Sequence, residues 1–574
     1  MISRIYFIRH GITEGNTRKW FYGKADLPLT EEGKETLRKF RDRGIYPDIP
    51  DDADCYTSAL SRTDETFQII YGDRARKTLP LLNEMQFGEY ECKTYEELKE
   101  YEGFHQWAYD ETGDVKLPGG ESRNEFAVRV SRGLKELVNL HRMKEWSHRH
   151  GGQDAITVMV CHGGVISAIM QELFPEINGS MWDWMPDPGL GYMVEFEGGE
   201  PSMYEKITDI KKLGFGFMRL PEKDGEIDLE TTKAMVDQFM DKGYTYFDTA
   251  YAYNAGKSEE AIKTALVDRY PRDSFQLATK LPAFSASTEE EAKAMFDTSL
   301  ERTGAGYFDF YLLHNLDDEK LEIFNKFHMW DFLQEKKAEG KIVKAGFSFH
   351  GNAEGLAKIL DDHPEVDFVQ LQINYLDWED PEVESRKCYE VARQHFKPII
   401  IMEPVKGGNL AGFSGEARDV LEAAAPGASL ASWALHYDIG LPGVITILSG
   451  MSDMEQLQDN MATFESYKPF TDEEKAALDK AAGILRNLPG IPCTSCRYCV
   501  EGCPSSIDIP GMMSCMNQVV RYNNAHGAAN SYYWTVMGAG RATDCIQCGK
   551  CEEACPQHIK IVDYMTRAAD IFDK

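Results

Sequence analysis

Residues 244–250 read YTYFDTA, a short run crowded with aromatic and β-branched side chains and closing on an aspartate. Such residues favour a pleated, partly buried strand. Seven further runs follow the same plan: KLGFGFM (212–218), FQLATK (275–280), FDFYLLH (308–314), VKAGFSF (343–349), DFVQLQI (367–373), PIIIMEPV (398–405) and GVITIL (443–448). Between them lie amphipathic stretches such as LETTKAMVDQFMDKG (229–243) and EEEAKAMFDTSLERTG (289–304), with apolar residues at helical spacing. Eight strands, most preceded by a helix, over about 270 residues point to an α/β fold of the (β/α)8 TIM-barrel type.

Outward from this barrel the rhythm changes twice. EGGEPSMYEK (197–206) follows an apparent last strand, GYMVEF (191–196), and RNLPGIP (486–492) leads into a cysteine-rich tail. Three segments are therefore expected, 1–205, 206–485 and 486–574, and a chain of 574 residues is too long for one compact domain. No apolar run reaches the roughly 18 residues that cross a bilayer. The start, MISRIYFIRHG, alternates like a strand and shows no signal-peptide core or cleavage site, so a cytoplasmic protein with no membrane partner is expected. A net charge of −32 argues against a nucleic-acid partner. Its plain meaning is solubility, and a docking surface for a basic protein is the sharper alternative. Of thirteen cysteines, eight fall in two tail motifs, while Cys55, Cys92, Cys161, Cys388 and Cys515 are scattered. In a reducing compartment that distribution favours a metal site over disulfides.

In the first segment, FIRHGITEGN (7–16) places Arg9 and His10 directly after the apolar strand IYFI. A histidine at a strand end is held by the sheet, and the neighbouring arginine can fork two hydrogen bonds onto a phosphate. Arg62 lies in YTSALSRTDETF (56–67), near a helix start that suits an oxyanion. Glu84 lies in LNEMQFGEYE (82–91), and His162 in ITVMVCHGGV (156–165), after a second strand. Residues 1–205 resemble the histidine phosphatase (phosphoglycerate mutase-like) superfamily, which implies a three-layer α/β domain. The resemblance implies His10 as the nucleophile that becomes phosphohistidine. Arg9, Arg62 and His162 would cradle the charged oxygens, Glu84 would protonate the leaving alcohol, and Asn16 would add a phosphate contact. The short form looks more like the phosphatases than the mutases, and the alternative is a folded but idle domain.

Active sites of such barrels lie at the C-terminal ends of the strands. Those positions hold Asp248, Lys280 and His314, and Tyr253 follows Asp248 by five residues. Carbonyl reduction needs a proton donor, and a tyrosine with its ordinary pKa near 10 is helped by a neighbouring ammonium that an aspartate holds in place. The four resemble the tetrad of the aldo-keto reductases, and FDTAYAYNAGKSEE (247–260) matches that family's pattern. The resemblance implies Tyr253 as general acid, Lys280 and Asp248 as its tuning pair, and His314 as orienter of a carbonyl or alcohol substrate. It further implies that Ser348 and Gln370 contact a nicotinamide amide, and that GMSDMEQLQDN (450–460), with Gly450, Gln456 and Asn460, takes the adenosine half. Family members that prefer NADP usually carry Lys or Arg in that loop. Asp453 stands here instead, so NAD(H) and NADP(H) both remain open. The bland alternative is a buried ion-pair network without chemistry.

Cys493, Cys496, Cys499 and Cys503, then Pro504, give C-x2-C-x2-C-x3-C-P, and Cys545, Cys548, Cys551 and Cys555, then Pro556, repeat it. This is the spacing of bacterial two-cluster ferredoxins, in which the fourth cysteine of each run ligates the other cluster. By that rule Cys493, Cys496, Cys499 and Cys555 hold one 4Fe-4S cluster, and Cys545, Cys548, Cys551 and Cys503 hold the second. A zinc site would use two CxxC pairs instead. IPGMMSCMNQVVRYNNAHG (509–527) reads as a helix packed on the barrel, with Cys515 in its core. The whole resembles the ferredoxin-tailed subgroup of aldo-keto reductases with an added phosphatase domain. Hydride carries two electrons and a cluster passes one, so coupling them calls for a flavin, for which no motif is visible. Three accounts follow: a reductase whose clusters exchange electrons with a ferredoxin or flavoprotein, a plain nicotinamide reductase with structural clusters, and an electron-transfer scaffold.

Overall fold

A computed structural model describes residues 2–148, 154–175, 177 and 179–573, which fall into two compact units, one built mostly from residues 1–211 and the other mostly from 212–574. Among the described residues no helix is long and apolar enough to cross a membrane.

The first unit is organised by a six-stranded sheet. Strand Ser3–Arg9 lies between Ala155–Cys161, to which it is parallel, and Gly191–Glu197, to which it is antiparallel. All seven residues of Ala155–Cys161 are buried, as expected of a parallel strand covered on both faces. Two separate apolar clusters flank the sheet. Phe7, Met159 and Val194 belong to one and Ile8, Val158 and Val160 to the other, so successive residues of each strand serve opposite layers. That is the expected three-layer arrangement. It brings the C-terminal ends of Ser3–Arg9 and Ala155–Cys161 side by side.

In the second unit the eight expected strands close into a parallel barrel: Leu213–Gly216, Tyr246–Asp248, Gln276–Leu281, Phe308–Leu316, Ile342–Phe349, Phe368–Gln372, Ile399–Met402 and Val444–Gly450. Leu213–Gly216 pairs with both Tyr246–Asp248 and Val444–Gly450 and so seals the ring. The helix Glu289–Thr303 starts where Thr288 caps Glu291 and stops at Gly304, which is left-handed at φ 64°. Two details differ from the sequence reading. Strand Phe308–Leu316 runs past His314, with a register irregularity between Leu313 and Leu316 and Asn315 at φ 60°. A small hairpin, Glu222–Lys223 with Glu226–Ile227, follows the first barrel strand.

The tail has its own core, in which Ile507, Met512, Met513, Met516, Ile561 and Met565 are buried. Cys515 lies in that core, 3.6 Å from Thr535 Oγ1, as a packing residue. The helix expected over 509–527 is two helices, Ile509–Tyr522 and Ala525–Val536. Asn523 turns left-handed at φ 55° and Asn524 caps the new start, so two adjacent asparagines break one helix and begin another.

Candidate functional site

In the first unit the folding brings Arg9, His10, Arg62, Glu84 and His162 to one end of the sheet. The His10 and His162 rings lie 5.3 Å apart at 63°. His10 Nδ1 is 2.7 Å from Gly11 O. A carbonyl can only accept, so Nδ1 carries the proton and Nε2 keeps the lone pair a nucleophile needs. Burial, then the charges of Arg62 and Arg9, hold the His10 pKa well below its ordinary value, and burial with Arg62 does the same for His162. Both rings are therefore neutral at pH 7. His162 Nδ1, Arg9 Nε and Arg62 Nε are buried with no hydrogen-bond partner, and the two guanidinium N–H groups are unspent donors that fit a charged oxyanion. Glu84 accepts from Gly164 N and Met85 N at 3.0 Å each. Gly163 and Gly164, at the start of helix Gly163–Leu173, make this closeness feasible: a Cβ there would lie 3.0 Å from Arg9 Nε or 2.6 Å from Glu84 Oε1.

Several contributors escaped the sequence reading. Ser58 Oγ lies 2.7 Å from His162 Nε2 and fixes that ring. Tyr22 OH donates to Asn16 Oδ1 at 3.0 Å, and the Arg62 guanidinium sits 5.0 Å over the Tyr22 ring. Asn16 thus spends its carbonyl within the Thr13–Tyr22 turn. Glu91 accepts from Gly23 N, Lys24 N, Ala25 N and Phe87 N at 3.0–3.2 Å. The same turn receives Arg62 through Gly23 O and Ala25 O, so Glu91 holds the cradle that aims Arg62.

At the C-terminal end of the barrel, Asp248, Tyr253, Lys280 and His314 converge. Lys280 Nζ donates to Asp248 Oδ1 at 2.5 Å, to Thr249 O at 2.8 Å and to Tyr253 OH at 3.4 Å. The Tyr253 and His314 rings meet edge to face at 5.8 Å. Burial opposes the Lys280 charge, but Asp248 and Tyr253 outweigh it and raise its pKa. Burial also raises the Tyr253 phenol, and Lys280 only partly offsets this. The helpful ammonium is present, but desolvation of the phenolate is the larger effect in the free protein. His314 is held neutral by burial, then by the Lys280 charge, and its Nδ1 has no partner. Asn254, Ala255 and Gly256, just after Tyr253, are all left-handed at φ 50°, 55° and 93°, and such strain collects at functional sites.

The nicotinamide candidates are less uniform. Gln370 is buried beside the tetrad with Nε2 unpartnered, whereas Ser348 Oγ already accepts from Asn315 N at 2.7 Å. Asn460 Nδ2 donates to Ser449 Oγ at 3.0 Å, next to Gly450. Asp453 caps helix Met454–Glu465 by accepting from Gln456 N at 2.8 Å and from Gln456 Nε2 at 2.9 Å, while Gln456 Oε1 takes Ser452 N. Gln456 is therefore spent within its own turn. A cation of this region is Arg219, whose Cβ lies 3.3 Å from where a Cβ on Gly450 would stand and whose Nε is buried without a partner.

In the tail the eight cysteines sort into two cavities. One is lined by Cys493, Cys496, Cys499 and Cys555. The other is lined by Cys503, Cys545, Cys548 and Cys551. Each quartet takes three cysteines from one run and one from the other. Among the described residues no three His, Cys, Asp or Glu side chains converge as ligands of a single ion. Four thiols spread around a cavity suit a cluster with iron at several corners.

The family models tile nearly the whole chain. The histidine phosphatase superfamily (branch 1) matches residues 5–206, the aldo/keto reductase family 212–482 and the 4Fe-4S dicluster domain 492–559. The chain is 28% identical over 198 residues to the adenosylcobalamin/alpha-ribazole phosphatase of Escherichia coli (strain K12), covering 33% of this chain and 89% of that protein. It is 26% identical over 298 residues to the uncharacterized oxidoreductase YqkF of Bacillus subtilis (strain 168), covering 47% of this chain and 92% of that protein. An aldo-keto reductase from Klebsiella pneumoniae, solved in complex with NADPH, aligns with a TM-score of 0.39 at 24% identity over 47% of this chain and 90% of its own.

Proposed function

Because the chain joins a histidine phosphatase region, an aldo/keto reductase barrel and a 4Fe-4S dicluster region, we propose a bifunctional enzyme. Its barrel reduces a carbonyl, or oxidises the matching alcohol, with a nicotinamide cofactor. Its N-terminal site hydrolyses a small phosphoester, and its tail holds two 4Fe-4S clusters that exchange electrons. The observation that carries the oxidoreductase reading is the Lys280 ammonium touching both Asp248 and Tyr253 in a buried pocket.

In the barrel, Tyr253 delivers the proton to the carbonyl oxygen, Lys280 and Asp248 support the phenolate left behind, and His314 orients the oxygen through a neutral ring. Gln370 and Ser348 would hold the carboxamide of the nicotinamide, and Gly450, Asn460 and Arg219 the nucleotide end; the bound cofactor supplies the hydride. At the other site, His10 Nε2 attacks phosphorus, the P–O bond to the alcohol breaks and Glu84 gives the leaving oxygen a proton. Water then cleaves the phosphohistidine. Arg9, Arg62 and His162 take up the equatorial charge.

The two cysteine quartets would each tie one run to the other, and a cluster supplies one-electron transfer when bound. Cys496 and Cys548 are exposed, which leaves an edge of each site open to a ferredoxin or flavoprotein. Structural clusters are the second reading, favoured by Cys499 and Cys555 packing into the tail core. Iron and sulfide analysis with EPR on protein purified without oxygen, before and after NADH or NADPH, tests the tail. Two four-iron clusters that a low-potential chemical reductant reduces are expected, and their reduction by NADH or NADPH would call for a bound flavin released on denaturation; zinc or a lone cluster would refute the assignment. His10→Ala should end hydrolysis of a generic phosphate ester, and surviving hydrolysis would remove the nucleophile.

A further inference from the structure

Residues 83–87, which carry Glu84, lie in neither helix nor strand, so their place is set by contacts from elsewhere. Arg129 supplies them. Its Nη1 donates to Leu81 O and Asn83 O at 2.8 Å each, and its Nη2 donates to the carbonyl of Glu84 itself at 3.1 Å. Glu121 takes the other side of the guanidinium, with Arg129 Nε on Oε1 at 2.7 Å and Nη2 on Oε2 at 2.8 Å. Glu121 then closes on the same segment. Its Oε2 accepts from Gln86 N at 3.0 Å, and its own N donates to Gln86 O at 2.9 Å. One largely buried ion pair thus brackets the chain from Leu81 to Gln86, on both sides of Glu84.

The local sequence builds this bracket. Ser122 Oγ accepts from Glu125 N at 3.1 Å and Ser122 N donates to Glu125 Oε2 at 3.2 Å, a reciprocal cap that starts helix Arg123–His148. Glu121 therefore sits just ahead of the helix and Arg129 about two turns into it. Two glycines keep the gap narrow. A Cβ on Gly120 would stand 2.4 Å from Gln86 O, and one on Gly133 would stand 2.7 Å from Leu82 Cδ2. A guanidinium carries five N–H donors in a fixed fork. All five are engaged here, so Arg129 has none left for a substrate oxygen. Its part is to hold. At the side chain, the Glu84 carboxylate accepts from Gly164 N at 3.0 Å, on the helix that follows His162. Arg129 fixes the backbone of Glu84, and Gly164 its carboxylate.

We propose that Arg129, oriented by Glu121, is a positioning residue that holds Glu84 where it protonates the leaving alcohol. In that step the His10 Nε2–P bond forms and the P–O bond breaks with its electron pair on oxygen. That oxygen takes the Glu84 proton. The proposal rests on the reading of Glu84 as general acid, and its test separates the two.

A nitrophenolate leaves without a proton, whereas a phenolate depends on one, so a misplaced acid shows in the leaving group. The measurement is kcat/KM, which covers the steps up to P–O cleavage, for p-nitrophenyl phosphate and phenyl phosphate on whole protein. Arg129→Lys keeps a charge for Glu121 but cannot span five acceptors. It should lose on the order of 10²-fold on phenyl phosphate, as a displacement of about 1 Å can cause, and far less on p-nitrophenyl phosphate. Glu84→Gln should show the same selectivity. If Glu84→Gln is unselective, the acid reading falls and the proposal with it. If Glu84→Gln is selective and Arg129→Lys matches wild type, the positioning alone is overturned. Should Arg129→Lys lose both substrates, Glu121→Gln leaves a single oxygen to serve Arg129 and Gln86, and the selective loss is expected there. Equal loss on both esters in that variant too would overturn the proposal.

Discussion

In the proposed mechanism Arg62 acts twice at one point, offering a guanidinium to the substrate oxyanion while its charge, after burial, helps to keep the neighbouring His10 unprotonated. Burial is the larger cause of the low His10 pKa, with Arg62 next. A nucleophilic imidazole must be neutral, so activity is retained below pH 6.5 and lost only as pH falls through the depressed His10 pKa. Arg62→Gln removes a cation, which raises that pKa and moves the acid limb of kcat/KM upward. The rate itself should fall roughly 10²–10³-fold, as when one oxyanion donor is lost. A pH profile with p-nitrophenyl phosphate checks both, and an unmoved acid limb would show that Arg62 only binds. These residue types were legible because they stand at strand ends in short, recognisable runs. Ser58 was not, since its partner His162 lies 104 residues away and only the folded sheet brings them together. Glu91 was hidden for a similar reason, because its partners are backbone amides, which have no sequence signature. For Tyr253 the lowering by the neighbouring Lys280 ammonium was legible, whereas the larger opposing effect of burial was not.

Among the elements, helix Gly163–Leu173 shows how a backbone position can shape the proposed phosphatase site. Its first two glycines admit Arg9 and Glu84 to the helix start. Gly164→Ala would push a methyl against Glu84, and a displacement of about 1 Å can cost on the order of 10² in rate. Loss of that size in phosphatase turnover, with carbonyl reduction unchanged, is the expected outcome; full phosphatase activity would show that Glu84 tolerates the shift. In the tail, Cys555→Ala should remove the cluster of the first cysteine run, not that of its own run, and Cys503→Ala the converse. Mössbauer spectra of each variant would report which site is lost. All eight barrel strands and the helix at 289–303 were readable, because periodicity and punctuation by glycine agree there. The break at Asn523 and Asn524 was not, since two residues that tolerate both caps and turns look the same inside a helical pattern until a partner such as Gly407 engages one of them.

For the whole molecule, two enzyme regions share one chain, and each proposed site draws on groups of its own. Loss of one should therefore leave the other: His10→Ala spares the reductase, and Tyr253→Phe spares the phosphatase. The order of three regions was legible from composition shifts near 197–206 and 486–492 and from cysteine spacing. The packing of the tail on the barrel was not, because it runs through acceptors such as Gly407 O that no motif marks. The most direct measurement is oxidation of NADH or NADPH against a panel of small aldehydes and ketones, by whole protein purified without oxygen, for wild type and Tyr253→Phe. Turnover by wild type that Tyr253→Phe abolishes, with phosphate-ester hydrolysis intact in both, is the expected result. Turnover that survives Tyr253→Phe would contradict the assignment of the barrel site.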